Sequence, residues 1–318
     1  MNSTQGIFTH ESIWISLLKG GAKRKDRDHI ASIVRDLINQ NFPIPRELKH
    51  RADSKSIVNL LKDDGLAYSP SVFSDSERAQ LLDTLDGLKV EYLNASSGKV
   101  LKFDYLSECY EVHPDIHYAR YNQKDLLMIP IINQLINDFS ISIIPLGYLG
   151  CVPTLSSVNC WWSFPGKKIA GAQNFHQDRG DFASLNMFTY LSDVDETSGP
   201  HVYCQRTHTL NSLTKLTSSM SPVVQSLFWE WWEQHRKADQ TTEYFFTPTV
   251  ITGKAGTTFF EDTCGLHKGL APTHRKRLCF ELVWTMVPQF NHRLIQIPNA
   301  VPVKEQIIKR ISGLAYKY

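Results

Sequence analysis

A chain of 318 residues with 42% hydrophobic and 21% charged residues has ordinary globular composition and is long enough for one large domain or two small ones. Its 34 basic against 32 acidic residues leave a formal charge of +2, which rules out intrinsic disorder of the highly charged kind and offers no field for a nucleic acid. No apolar run approaches the roughly 18 residues that cross a bilayer. The patch Ile13 to Leu18 is short and is followed rather than led by basic residues, unlike a signal peptide. The six cysteines (109, 151, 160, 204, 264, 279) lack CxxC spacing, so a reducing cytoplasm is expected.

The first ninety or so residues have helical texture. Ile30, Ile33, Val34, Leu37 and Ile38 recur at helical spacing, and Asn41 with Pro43 and Pro45 would end that helix. The basic cluster Lys19, Lys23, Arg24, Lys25 and Arg27 reads as a solvated loop. Ser54 to Lys62 forms a second helix, stopped by Asp63-Asp64-Gly65. Ser74 to Leu88 forms a third, with Ser74 as N-cap and Glu77 completing a capping box. Ile129 to Phe139 gives a further helix, with Pro130 tolerated in its first turn.

Beyond it come short apolar or alternating runs divided by turn residues: Ser156 to Phe164, Leu185 to Leu191, Thr247 to Ile251, Thr257 to Phe260 and Leu278 to Val287. Such runs suggest a β-sandwich or barrel. A helix, Pro222 to Arg236, interrupts them and carries Trp229, Trp231 and Trp232. The expected organisation is an N-terminal helical layer over residues 1–95, packed on a mainly β core over 96–318 with a helical insertion at about 210–243.

The sharpest local feature is His176-Gln177-Asp178. Residues i and i+2 of a strand face one side, so this imidazole and carboxylate converge. A similar triplet, His113-Pro114-Asp115, reads as a loop because its central proline removes a ladder donor. Downstream, Gly253 and Gly256 lead into an apolar strand, then Asp262-Thr-Cys-Gly-Leu-His267-Lys-Gly, and Arg277 opens the strand Leu278 to Trp284. Two histidines and one carboxylate with open positions opposite suit non-haem Fe(II). An arginine beyond the second histidine could pair with the far carboxylate of a chelating 2-oxoacid.

These segments resemble the phytanoyl-CoA dioxygenase-like family of iron and 2-oxoglutarate enzymes. The likeness lies in Trp161 to Gly166, Phe175-His-Gln-Asp, Phe188 to Asp195, Ser198 to His201, Gly256-Thr-Thr-Phe-Phe, His267-Lys-Gly and Arg277-Leu. It extends upstream to Leu61-Lys-Asp-Asp-Gly-Leu, Phe73 to Glu77, Gly147 to Gly150 and Pro153 to Ser157, and so covers about residues 57 to 287. It implies a double-stranded β-helix, the jelly roll of the cupins. Fe(II) would be held by His176, Asp178 and His267, with no catalytic side chain beyond these ligands, and Arg277 would hold 2-oxoglutarate. Arg275, two residues earlier, is a rival for that role. With Asp178 present, hydroxylation of an unactivated C–H by O2 is implied rather than halogenation.

Phe188 and Tyr190, on one strand face with Asn186, are candidates to line the cofactor cavity; Asn159 and Trp161 are weaker ones. For His201 and His208, structural or substrate-rim roles are expected, for the three tryptophans helix packing, and for Cys264 and Cys279 burial as inert thiols. Lys167, Lys168, Arg179, Lys215 and Arg236 suggest a small, polar or anionic substrate. Two alternatives of another class remain: a jelly-roll metalloprotein such as a cupin-type isomerase or hydrolase, which would not need Arg277, and a non-catalytic binding module. A nucleic-acid demethylase fits the charge balance poorly.

Overall fold

The computed structural model describes residues 24–44, 52–94, 100–106, 116–166, 171–178, 181–234 and 242–287. Helix α1 (Arg24–Asn41) turns Ala31, Val34 and Ile38 into the core, a spacing that also brings Arg27 onto its buried face. Helix α2 (Ala52–Asp64) buries Val58 and Leu61. At Gly65 the chain turns with φ +78°, and a Cβ there would stand 2.2 Å from the Tyr203 hydroxyl. Next comes β1 (Leu66–Ser69), a strand within the stretch whose texture suggested only helix. Helix α3 (Asp75–Asp86) has the expected capping box. The Ser74 hydroxyl accepts from Glu77 N at 3.2 Å, and the Glu77 carboxylate accepts from Ser74 N at 2.8 Å.

Strands β2 (Lys89–Asn94), β3 (Val100–Tyr105) and β4 (Ile116–Tyr121) follow. Helices α4 (Gln123–Met128), α5 (Pro130–Asn137) and α6 (Phe139–Leu149) come next. The helix expected at Ile129 to Phe139 is α5, with Pro130 in its first turn. Phe139 belongs instead to α6, whose cap Asp138 accepts from Ser140 N at 2.8 Å.

The remaining strands are β5 (Thr154–Ser163), β6 (Ser184–Tyr190), β7 (His201–Tyr203), β8 (Thr249–Ile251), β9 (Thr258–Glu261), β10 (His267–Gly269) and β11 (Arg277–Thr285). All pairings are antiparallel. A large sheet runs β1-β9-β6-β11-β5-β4-β2-β3, and a small one runs β10-β7-β8. A bridge between His176 and His267 adds one more extended position to the free side of β10. Counted from β5 with that bridge as the second segment, the large sheet holds the first, eighth, third and sixth segments and the small sheet the second, seventh, fourth and fifth. This is the wrapping of a jelly roll, a double-stranded β-helix.

Alternation then sorts the side chains. Val158, Cys160 and Trp162 of β5, Leu185 and Met187 of β6, and Leu278, Phe280 and Leu282 of β11 face the helices in one large core. The opposite face, between the sheets, receives Asn159 and Trp161, then Asn186, Phe188 and Tyr190, then Arg277, Cys279 and Glu281. Between β7 and β8 the chain forms α7 (Leu210–Thr217), α8 (Pro222–Gln234) and α9 (Thr242–Phe245). Phe228, Trp231 and Trp232 of α8 pack with Leu213, Phe246, Val202, Phe175 and Leu266, so the expected packing role holds for Trp231 and Trp232, while Trp229 lies partly buried against the same cluster. Phe175 and Leu266 directly precede His176 and His267. Among the described residues, no helix is long and apolar enough to cross a membrane.

Candidate metal centre

The two histidines are brought together by backbone. His176 N donates to His267 O at 2.9 Å, His267 N donates back to His176 O at 3.0 Å, and Asp178 N donates to Thr263 O at 2.8 Å. Each imidazole is oriented by the carbonyl two residues before it. His176 Nδ1 lies 2.8 Å from Asn174 O, and His267 Nδ1 lies 3.0 Å from Gly265 O. A carbonyl only accepts, so each Nδ1 carries the proton and each Nε2 keeps its lone pair. Both Nε2 atoms stand 3.8 Å from an oxygen of Asp178, and one ligand atom from each of the three residues lies within 4.8 Å of the others. Burial lowers the pKa of His267, which keeps it a neutral donor. The Asp178 side chain is 46% exposed and free to adjust toward an ion.

Arg277, 5% exposed, opens β11 opposite Ser163. One Nη donates to Gly199 O, the other to Ser163 Oγ at 3.4 Å, while the buried Nε has no partner. Arg275, by contrast, is 67% exposed and pairs with Asp195 at 3.2 Å. Of the two arginines, Arg277 is the one inside.

Phe188 stacks on Phe259 at 5.2 Å, lies 4.9 Å from the His201 ring and meets Trp161 edge-on at 6.5 Å. Tyr190 is fully buried. Its hydroxyl donates to Ile251 O at 2.8 Å and accepts from His201 N at 3.0 Å, which ties the large sheet to the small one. Asn186 and Asn159 both donate to Glu281, each at 2.7 Å.

Three groups beside the centre escaped the sequence reading. Glu261 is fully buried, and His201 Nε2 lies 2.8 Å from its Oε2 and 3.1 Å from its Oε1, with hydrogen-bond geometry met at Oε1. Burial pushes Glu261 up to about 8 and His201 down to about 3. The His201 ring stacks on that of His267 at 5.6 Å, so His201 lies against the centre. The available signal was alternation, which puts Glu261 on the same interior face as Phe259. Glu281, the second, is pushed up to about 7 by burial, against the two asparagine bonds.

The third is Arg27, and here the solvated-loop reading is corrected. It lies on α1, buried, with Nε donating to Phe182 O at 3.2 Å and Nη2 to Asp178 O at 3.1 Å, to Asp181 O and to Cys264 Sγ. The Asp181 carboxylate in turn accepts from Phe182, Met286 and Val287 N. Asp178 and Asp181 are thus both held by Arg27.

His208 is buried, 3.3 Å from Lys62 O. Cys264 and Cys279 are buried, and burial pushes the Cys279 thiol up to about 12, out of the reactive range. The patch Ile13 to Leu18, Lys19, Lys23, Cys109, the triplet His113 to Asp115, Lys167, Lys168, Arg179 and Arg236 lie outside the described residues.

No protein-family model matches the sequence, and no curated protein matches it either. Solved structures do. The non-heme alpha-ketoglutarate-dependent epimerase SnoN from nogalamycin biosynthesis is 15% identical, with 73% of this chain and 83% of that one covered at a TM-score of 0.48. The carbocyclase SnoK from the same biosynthesis is 14% identical over 73% and 83%, at 0.47. EvdO2 from Micromonospora carbonacea var. aurantiaca, complexed with 2-oxoglutarate, is 16% identical over 72% and 89%, at 0.46.

Proposed function

We propose that this chain is an Fe(II)- and 2-oxoglutarate-dependent dioxygenase of the phytanoyl-CoA dioxygenase-like kind, hydroxylating a C–H bond of a small organic substrate. The observation that carries the reading is a cluster of two Nε2 atoms and a carboxylate on the small-sheet side, together with a buried arginine on β11 of the large sheet whose Nε is unpartnered. These donors fit the group. Two neutral imidazoles and one carboxylate suit a first-row divalent ion and leave positions for a chelating co-substrate. When bound, Fe(II) with 2-oxoglutarate would let O2 be spent on making succinate and CO2 and on placing a hydroxyl on carbon.

The chain's own residues do the rest. Asn174 and Gly265 carbonyls hold the two rings in the ligating tautomer. Arg277 supplies a fixed, permanently charged fork for the distal carboxylate, with Ser163 beside it. Two positive charges on iron and one on Arg277 then balance Asp178 and a dianionic co-substrate.

The basic residues that suggested an anionic substrate do not carry that choice: Lys215 is exposed on α7, and the other four lie outside the described residues. The test is an anaerobic titration with Fe(II), then 2-oxoglutarate, followed by visible absorbance. A saturable charge-transfer band is expected, with at least tenfold weaker 2-oxoglutarate binding in Arg277→Ala. Stoichiometric metal binding with no band would leave a jelly-roll metalloprotein without oxygenase chemistry.

A further inference from the structure

Strands β5 and β11 lie side by side in the middle of the large sheet, and nearly all of their side chains are buried. The exceptions are Asn159 and Trp161 on β5 and Glu281 and Val283 on β11. In register, Glu281 stands opposite Asn159 on one side and Phe188 on the other, and Trp161 stands opposite Cys279. All four share the interior face, so their residual exposure opens into the space between the sheets rather than to the outer surface.

At the centre of this opening is one carboxylate with aromatic walls. Asn159 and Asn186 each donate an amide N–H to a different oxygen of Glu281, at 2.7 Å, which fixes the carboxylate and leaves each oxygen a lone pair to offer. Trp161 meets Phe188 edge-on at 6.5 Å and lies tilted 6.3 Å from Tyr118 of β4; Phe188 stands beside Glu281 on the neighbouring strand, and Tyr118 is close enough to feel its charge. No lysine or arginine among the described residues pairs with Glu281. The nearby Arg120 is committed to Glu91 at 2.7 Å, and Arg277 to Gly199 and Ser163. Asp178 lies near enough to act electrostatically on Glu281, and the two carboxylates together oppose an anionic guest.

We propose that Glu281, with Trp161, Tyr118 and Phe188, is the recognition site for an organic ammonium group, so that the substrate of the proposed oxygenase is an amine. A partly desolvated carboxylate gives a charge-assisted hydrogen bond to N–H donors, and aromatic faces attract the same cation. Arg277 and Glu281 are four residues apart on one strand, about 13 Å at 3.3 Å per residue, so a dianion at one and a cation at the other do not compete for space. The assignment of substrate class rests on the oxygenase reading; the binding site itself does not.

The experiment is therefore one that needs no turnover. Saturation-transfer NMR is recorded on the full-length protein with n-butylammonium, n-butanol and butyrate as probes, on wild type, Glu281→Gln and Trp161→Leu, each first shown folded by circular dichroism. The expected result is at least tenfold tighter binding of n-butylammonium than of the alcohol, no binding of butyrate, loss of the preference in Glu281→Gln and a several-fold loss in Trp161→Leu. With Mn(II) and 2-oxoglutarate added, the ammonium probe should also show paramagnetic relaxation. Equal binding of the three probes, or a preference that survives Glu281→Gln, overturns the proposal. So does a collapse of 2-oxoglutarate affinity in Glu281→Gln, since the acid would then serve the co-substrate. An ammonium preference without any 2-oxoglutarate complex would sink the oxygenase reading alone.

Discussion

Arg27 gives four hydrogen bonds to the surroundings of Asp178 from a helix more than a hundred residues away in sequence. Residues that orient a ligand typically matter by 10- to 100-fold in metal affinity. Arg27→Ala should weaken Mn(II) binding by about that factor, read by EPR titration, and Arg27→Lys should recover only part, because an ammonium cannot reproduce the fork. Glu281 offers a pH test. Its pKa rises from 4.5 unfolded to about 7 folded, so the native state holds its proton more tightly. Glu281 should then contribute a downward slope to the stability of the metal-free protein as pH climbs from about 4.5 to about 7, by up to about 3 kcal/mol, and nothing further above. Thermal melts of Glu281→Gln should lack that slope. At this scale the sequence displayed His176, Asp178, His267 and Arg277, because spacing along short strands is visible in one dimension. Glu261 and Glu281 carried only a charge in an apolar strand, and Arg27 sat among surface-like neighbours, so what they touch depended on the three-dimensional packing.

The insertion between β7 and β8 acts as a buttress. Phe228 stacks on Trp232 at 5.8 Å and meets Phe245 edge-on at 5.4 Å, and the cluster includes Phe175 and Leu266 next to the two histidines. Phe228→Ala should cost about 3–5 kcal/mol by cavity formation and should also loosen metal binding, checked by denaturant melts with and without Mn(II). On the far side, Ser74→Ala removes one half of a capping box on an exposed turn and should cost about 1 kcal/mol, with metal affinity unchanged. Helix α3 was legible because its cap and its leucines agree. Strands β7 and β10, three residues each, are too short for alternation to register, and β2 mixes Lys89, Glu91 and Asn94 with its apolar residues.

Across the molecule, Gly199 is one of the points at which the two sheets are joined. It has φ +69°, a Cβ there would come 2.4 Å from Leu270 O, and its carbonyl receives Arg277. Gly199→Ala should lower the melting temperature and, unlike Ser74→Ala, weaken 2-oxoglutarate binding as well. A β-sandwich or barrel was legible from the short strands and the jelly roll from the family resemblance, whereas the order of strands within each sheet followed only from pairing. The backbone bridge between His176 and His267 has a consequence of its own. Its two hydrogen bonds use no imidazole atom, so cutting either ring back to Cβ leaves the frame standing and a hole the size of one small heterocycle. In His267→Ala, dissolved imidazole should be able to enter that hole and restore Mn(II) binding. What the protein normally supplies as part of its own chain would then become an exchangeable ligand, titratable from solution.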